Sequence, residues 1–211
     1  MIDVMPELLF ATSNRHKADE VRAMLGSDWN VRDLSEFPNV ELPPETGTTF
    51  EANAIIKAEG GSQALPGMLV LADDSGLEVD VLDGAPGVWS ARYAGDDAAD
   101  GANRVRLKTE LHLCSDDDPT VKFSGRFRCC MVLVRDGEVL HVTNGAVEGW
   151  LIQEEQGIGG FGYDPLFIPE GHEDTFGVLP ESVKNQLSHR ARALRAMEEW
   201  LAGHPEVQGE G

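Results

Sequence analysis

The chain has 211 residues, 41% hydrophobic and 26% charged, which is enough apolar matter to bury a sizeable core in one large domain or two closely joined lobes. With 37 acidic residues against 17 basic ones the formal net charge is −20, which argues against broad contact with a nucleic-acid backbone but leaves room for a local basic pocket. There is no apolar run of roughly 20 residues to span a membrane, no basic leader in MIDVMPELLF, and an odd cysteine count without metal-ligand spacing, so a cytoplasmic protein without membrane partners is expected.

LLFAT (8–12) reads as a strand, with Ser13 and Asn14 as capping residues for a helix, RHKADEVRAML, whose stripe is Ala18, Val21 and Leu25. A second strand starts near Trp29, and a Pro- and Glu-rich loop covers 37–47. Thr48 and Glu51 have capping-box spacing, and the helix they open places Phe50, Ala54 and Ala58 on one face. MLVLA (68–72) reads as a buried strand and LEVDVL (77–82) as another. Residues 84–95 are glycine-rich and irregular, and 97–113 read as a helix with Leu107 and Leu111 paired. VKFSGRFRCCMVLV alternates at Phe123, Phe127, Cys129, Met131 and Leu133, which puts Cys129 and Cys130 on opposite faces. Asp136-Gly137 then turns the chain into EVLHVTNGAV. A second glycine-rich loop covers 157–164. The last helix follows Ser188, with Ala191, Leu194, Met197 and Leu201 inward, a stop at Gly203 and a loose tail over 204–211. Strand-helix units first and a long hairpin later predict a mixed α/β sheet, a more parallel lobe joined to an antiparallel one, in a single two-lobed domain over 1–203.

Four stretches carry chemistry. In ATSNRHK (11–17) a strand meets a helix start, where free N–H groups, the helix dipole, Lys17 and the donors of Thr12, Ser13 and Asn14 suit an anion; an ordinary capped helix reads the same way. In ADDSGLEVD (72–80) an apolar strand runs straight into Asp73 and Asp74. That pattern is either a polar turn at a strand end or a site for a hard cation, with Asp74 an exposed carboxylate. In GGFGYDP (159–165) the glycines leave the Phe161 face open to stacking, unless Phe161 and Tyr163 plug the core. In VKNQLSHRARAL, Lys184, His189 and Arg190 gather around a helix start, where their charge opposes the dipole. The simplest ligand that uses all four is a nucleoside triphosphate with magnesium.

ATSNRHKADE, PETGTTFEANAIIKA, ADDSGLEVDVLDGAPGVWSARYAG, GGFGYDPLF and SHRARAL, in this order, resemble the inosine triphosphate pyrophosphatase family, from about Leu8 to Leu201. The resemblance implies an elongated mixed sheet with two lobes and an active-site cleft between them, a homodimer, and magnesium-dependent hydrolysis of ITP, dITP and XTP to the monophosphate and pyrophosphate. Carried over by position, Thr12, Ser13, Asn14, Arg15, His16 and Lys17 would hold the triphosphate. Glu45 and Asp74 would bind the metal, with Asp74 also the proton acceptor, Asp73 supporting it and Ser75 touching substrate. Phe161 would stack on the base, with Gly162, Tyr163 and Asp164 completing that loop, and Lys184, His189 and Arg190 would recognise the base. Trp89 stands where a tyrosine is common, and QEEQGIGG (153–160), with Glu154 and Glu155, replaces a proline-containing approach to the second glycine loop. The alternatives are a non-catalytic purine-nucleotide sensor and a pyrophosphatase for other modified nucleotides.

Overall fold

In a computed structural model that describes residues 5–208, β1 (Glu7–Phe10) is followed by α1 (Arg15–Leu25). β2 (Asn30–Asp33) and β3 (Leu69–Val79) lie on either side of β1 and parallel to it, with Leu8 opposite both Val31 and Leu69. Parallel neighbours need crossovers, which α1 and α2 (Phe50–Ala64) supply. β4 (Phe123–Arg135) and β5 (Glu138–Leu151) are adjacent strands joined by Asp136 and Gly137, whose positive φ angles, 49° and 79°, are those a two-residue hairpin turn demands. β6 (Phe167–Pro169) runs antiparallel to β5, and the sheet order is β2-β1-β3-β4-β5-β6. The sheet is therefore mixed, parallel toward β2 and antiparallel toward β6, as expected.

The chain divides into two compact units. The first comprises the chain up to Asp74, Cys129–Gly145 and the chain from Ala191. On one side of its strands Leu8, Phe10, Leu71, Cys129, Met131 and Leu133 pack with Ala18, Val21 and Leu25 of α1 and with Leu194, Met197 and Leu201 of α5 (His189–Ala202). On the other side Leu9, Val70, Ala72, Cys130, Val132 and Val134 pack with Ala54 and Ala58 of α2. Strands covered on both faces read as continuous apolar runs. That is why the alternation of β4 stops at Arg128 and why Cys129 and Cys130 belong to different cores.

The second unit comprises Ser75–Arg128 and Ala146–Arg190. Its core joins Leu77 and Val79 to Leu107 and Leu111 of α3 (Asp100–Leu113) and to Phe123, Phe127, Phe167 and Phe176. The Phe127 and Phe167 rings stand 4.7 Å apart, and Phe127 stacks on His189 at 5.0 Å.

Several boundaries differ from the sequence expectations. β3 does not stop at Ala72. It runs through Asp73, Asp74, Ser75 and Gly76 to Val79, so the two expected strands are one and the acids are not in a turn. The cap of α2 is Thr49, whose hydroxyl accepts from the Ala52 amide at 3.1 Å, and Thr48 lies outside the helix. α3 begins at Asp100, three residues later than expected. A helix absent from the sequence reading, α4 (Glu181–Leu187), is too short for its apolar spacing to show a period. Of the expected tail, Pro205–Gln208 form a single 3-10 turn, with Arg135 donating to the Val207 carbonyl at 2.6 Å; residues 209–211 lie outside the described residues.

Candidate active site

Two sets of polar side chains stand out, one in each unit. The first gathers around the middle of β3. Asp73 and Asp74 are buried, Asp74 to 6% exposure, which contradicts its expected place as an exposed carboxylate. Buried acids inside a strand require cationic or donor partners, and both have them. Lys17 Nζ meets both Asp73 oxygens at 3.1 Å. Lys57, on α2, meets Asp74 Oδ1 at 3.4 Å and Glu45 Oε1 at 2.9 Å. Asn53, one helical turn before Lys57, donates to Asp74 Oδ2 at 3.1 Å and accepts from the Gly47 amide at 2.7 Å, tying the Glu45 loop to the strand.

The charges explain the titration. Burial, aided by Glu45, pushes the Asp74 carboxyl above the usual aspartate value against the opposing charges of Lys57 and Lys17. Burial alone would lower Lys57, but Asp73, Asp74 and Glu45 outweigh it and hold the ammonium above the usual lysine range. The Glu45 loop reaches this place because α2 carries Gly60, where any Cβ would collide with the Pro43 ring. A glycine inside a helix costs about 1 kcal/mol relative to alanine, and here the close approach requires it.

Next to this set begins α1. Asn14 caps it by accepting from the Lys17 amide at 3.2 Å, and Thr12 Oγ1 accepts from the Asn14 amide at 3.1 Å. Ser13, Asn14, Arg15 and His16 are exposed, and no acidic residue sits in the first turn to oppose an incoming anion.

The second set lies in the second unit. Phe161 is half-buried, with Lys184 Nζ 4.4 Å and Arg190 Cζ 5.8 Å from its ring centroid. Asp164 Oδ2 accepts from the Phe161 amide at 2.8 Å and from Lys184 Nζ at 2.5 Å, fixing loop and lysine together. Gly160, at φ +69°, permits this: a Cβ there would strike the Asp164 carboxylate. Arg190 is 1% exposed and donates to Ser75 Oγ at 2.9 Å.

Comparison with known proteins places the whole arrangement in one lineage. The Ham1 family model matches residues 8–200. The chain belongs to the Ham1 family. It is 42% identical to the dITP/XTP pyrophosphatase of Halalkalibacterium halodurans over 93% of this chain and 100% of that protein, and 41% identical to the dITP/XTP pyrophosphatase of Bacillus subtilis over 94% and 98%. Among solved structures, a HAM1 protein from Coxiella burnetii superimposes with a TM-score of 0.81 at 36% identity, covering 94% of this chain and 100% of that one. The Ham1 protein of Staphylococcus aureus gives 0.78 at 37%, covering 93% and 98%.

In this Ham1-family chain the expected site residues separate by unit. Thr12 to Lys17, Glu45 and Asp74 lie in the first; Ser75, Phe161, Gly162, Tyr163, Asp164, Lys184, His189 and Arg190 lie in the second. Tyr163 is a core side chain, with its hydroxyl donating to the Ser90 carbonyl at 2.8 Å. Lys184 belongs to the last turn of α4, where a cation suits the dipole, and only His189 and Arg190 open α5. Sequence reasoning missed Asn53 and Lys57. Their signal was present in FEANAIIKA: two polar side chains four apart, beside the stripe Phe50, Ala54, Ala58.

The donor chemistry around Asp74 fits a hard divalent cation. Among the described residues no group of three or more His, Cys, Asp and Glu side chains could hold a metal ion. Glu45 and Asp74, however, converge on one ammonium, and magnesium is commonly held by one or two carboxylates with the remaining positions filled by water and substrate phosphates.

Proposed function

We propose that the two residue sets divide one reaction, the hydrolysis of ITP, dITP and XTP to the monophosphate and pyrophosphate. The chain is a nucleoside triphosphate pyrophosphohydrolase acting on non-standard purine nucleotides. The observation that carries the residue-level reading is the convergence of buried Asp74 and partly buried Glu45 on a single lysine, beside an open helix start. In this reading Asp74 accepts the proton of the water that attacks the α-phosphorus. Its raised proton affinity is what a carboxylate needs to act as a base nearer neutrality. Glu45 and Asp74 would hold magnesium, whose chemistry is to neutralise charge on the phosphate oxygens. Arg15 and His16, with the N–H groups of the α1 start, receive the triphosphate, and Asp73 aims Lys17 at it.

The second set serves the base. Phe161 offers a ring face for stacking, while Lys184 and Arg190 offer only donors, which suit the 6-keto oxygen of hypoxanthine and xanthine and leave the 6-amino group of adenine facing donors. Homodimeric assembly and cytoplasmic location belong to the same proposal. The former rests on the resemblance set out above, and the latter is supported by the odd count of three cysteines without metal-ligand spacing. No helix among the described residues is long and apolar enough to cross a membrane. The test is chromatography of products from ITP with magnesium: IMP and pyrophosphate are expected, and IDP with free phosphate as first products would refute the reading.

A further inference from the structure

The loop that carries Phe161 has no helix or strand from 152 to 163, and three of its glycines, Gly157, Gly160 and Gly162, have positive φ. Such a segment has a large conformational entropy to lose when its backbone is fixed. A stacking ring on it is useful only if something else orders the backbone. Asp164 and Lys184 hold it on one side. On the other side stands the first half of α3, which neither the sequence reading nor the proposed reaction uses.

Asp100, Arg104 and Lys108 follow one another at helical i, i+4 spacing, on one face of α3. Asp100 Oδ2 accepts from the Gly162 amide at 2.6 Å, and Arg104 donates through one guanidinium nitrogen to the Gly162 carbonyl at 2.9 Å. Both polar groups of the residue after Phe161 are thus gripped by adjacent turns of one helix. The same Arg104 donates through Nε to Glu155 Oε2 at 2.9 Å, and Lys108 donates to Glu155 Oε1 at 2.7 Å. Glu155 therefore binds the entry of the loop to the helix that binds its tip. Lys108 first, then Arg104, keeps the Glu155 carboxyl below the usual glutamate value. One exposed ion pair contributes little. Here a shared carboxylate, a bifunctional arginine and two backbone bonds act on the same loop.

We infer that Asp100, Arg104 and Glu155 are positioning residues for base recognition: by clamping Gly162 and the loop entry to α3, they hold the Phe161 face ready for the purine. The inference rests on the assignment of Phe161 to the base. Its consequence is selective, because the clamp does not touch the set around Asp74. Loosening it raises KM for a purine nucleotide, leaves kcat nearly unchanged, and leaves affinity for pyrophosphate alone untouched.

The experiment compares Asp100→Ala, Arg104→Met and the conservative Asp100→Asn, which keeps an acceptor for the Gly162 amide. KM and kcat for ITP, pyrophosphate affinity by calorimetry with magnesium, and backbone hydrogen exchange over 156–163 are measured on each. Asp100→Ala and Arg104→Met should raise KM about 5- to 20-fold with kcat within about twofold, as expected when a loosened loop must be ordered at binding. They should speed exchange in 156–163, and Asp100→Asn should restore both readouts. Unchanged KM in both variants, an equal fall in pyrophosphate affinity, or an asparagine variant that behaves like alanine would overturn the clamp. Wild-type protein without ITP turnover would refute the proposed function instead. The exchange measurement would still decide the clamp, since unchanged exchange in Asp100→Ala rules it out.

Discussion

Lys57→Met removes the ammonium between Glu45 and Asp74 while keeping most of the apolar stem. The side chains involved are 10%, 28% and 8% exposed for Lys57, Glu45 and Asp74, so the lysine and Asp74 are deeply screened from water and Glu45 is only partly so. Removing one partner of a fully buried pair costs about 3–5 kcal/mol. Asn53 still donates to Asp74, and Glu45 can turn to solvent, so about 2–3 kcal/mol is expected here. For a chain of this size that is a fall in Tm of roughly 4–12 °C. The loss depends on pH with a definite sign. Folded Asp74 binds its proton more tightly than its ordinary value of 3.8, so between that value and the raised one the folded state holds the extra proton and stability falls as pH rises. Lys57 lowers the Asp74 value, so its removal extends this window upward, and the deficit of the variant should be larger at neutral pH than in acid. The assay is urea unfolding in chelator at several pH values, repeated with magnesium. Magnesium should stabilise the variant more than the wild type, since binding to the folded state alone adds to stability and the competing ammonium is gone. A deficit under about 0.5 kcal/mol, the range of ordinary surface changes, or one that does not vary with pH, would refute the electrostatic account of this site.

Asp74→Asn should lower turnover of ITP by roughly a hundredfold or more, the scale of a lost general base or metal ligand, while folding survives because Lys57 keeps Glu45 as an ion-pair partner. Asp73→Asn, which loosens Lys17, should mainly raise KM; steady-state kinetics of both variants check the assignment, and the opposite pattern would exchange the roles of the two acids. For base choice, Arg190→Ala and Lys184→Ala should narrow the ratio of kcat/KM for ITP over ATP, whereas Phe161→Ala should lower both substrates alike; a ratio that collapses only in Phe161→Ala would overturn the division between selecting and stacking. Gly60→Ala should push the Pro43 ring and shift the Glu45 loop, lowering magnesium-dependent activity at least tenfold with only a modest change in Tm; full activity would show that the close approach is dispensable.

Much was already legible in the order of residues. Apolar spacing marked α1 and α5, the Asp136-Gly137 pair marked the hairpin, and the alternation of β4 put Cys129 and Cys130 on opposite faces, because these signals are local and each is carried by one stretch of chain. The motif runs from ATSNRHKADE to SHRARAL also pointed to the family. What the sequence alone did not decide was everything that depends on a distant partner. Asp73 and Asp74 looked like a strand end, since acids inside a strand are costly unless compensated, and their compensating charges lie 56 and 17 residues away, on Lys17 and Lys57. Only folding brings those ammonium groups to β3, which lets the strand continue to Val79 with both acids buried. The same holds for Tyr163, which reads as a binding aromatic beside Phe161 until the core of the second unit absorbs it, and for α3, an unremarkable amphipathic helix until its polar face meets the Gly162 peptide. Local periodicity is written along the chain, whereas the pairing of buried charges is a property of tertiary neighbours.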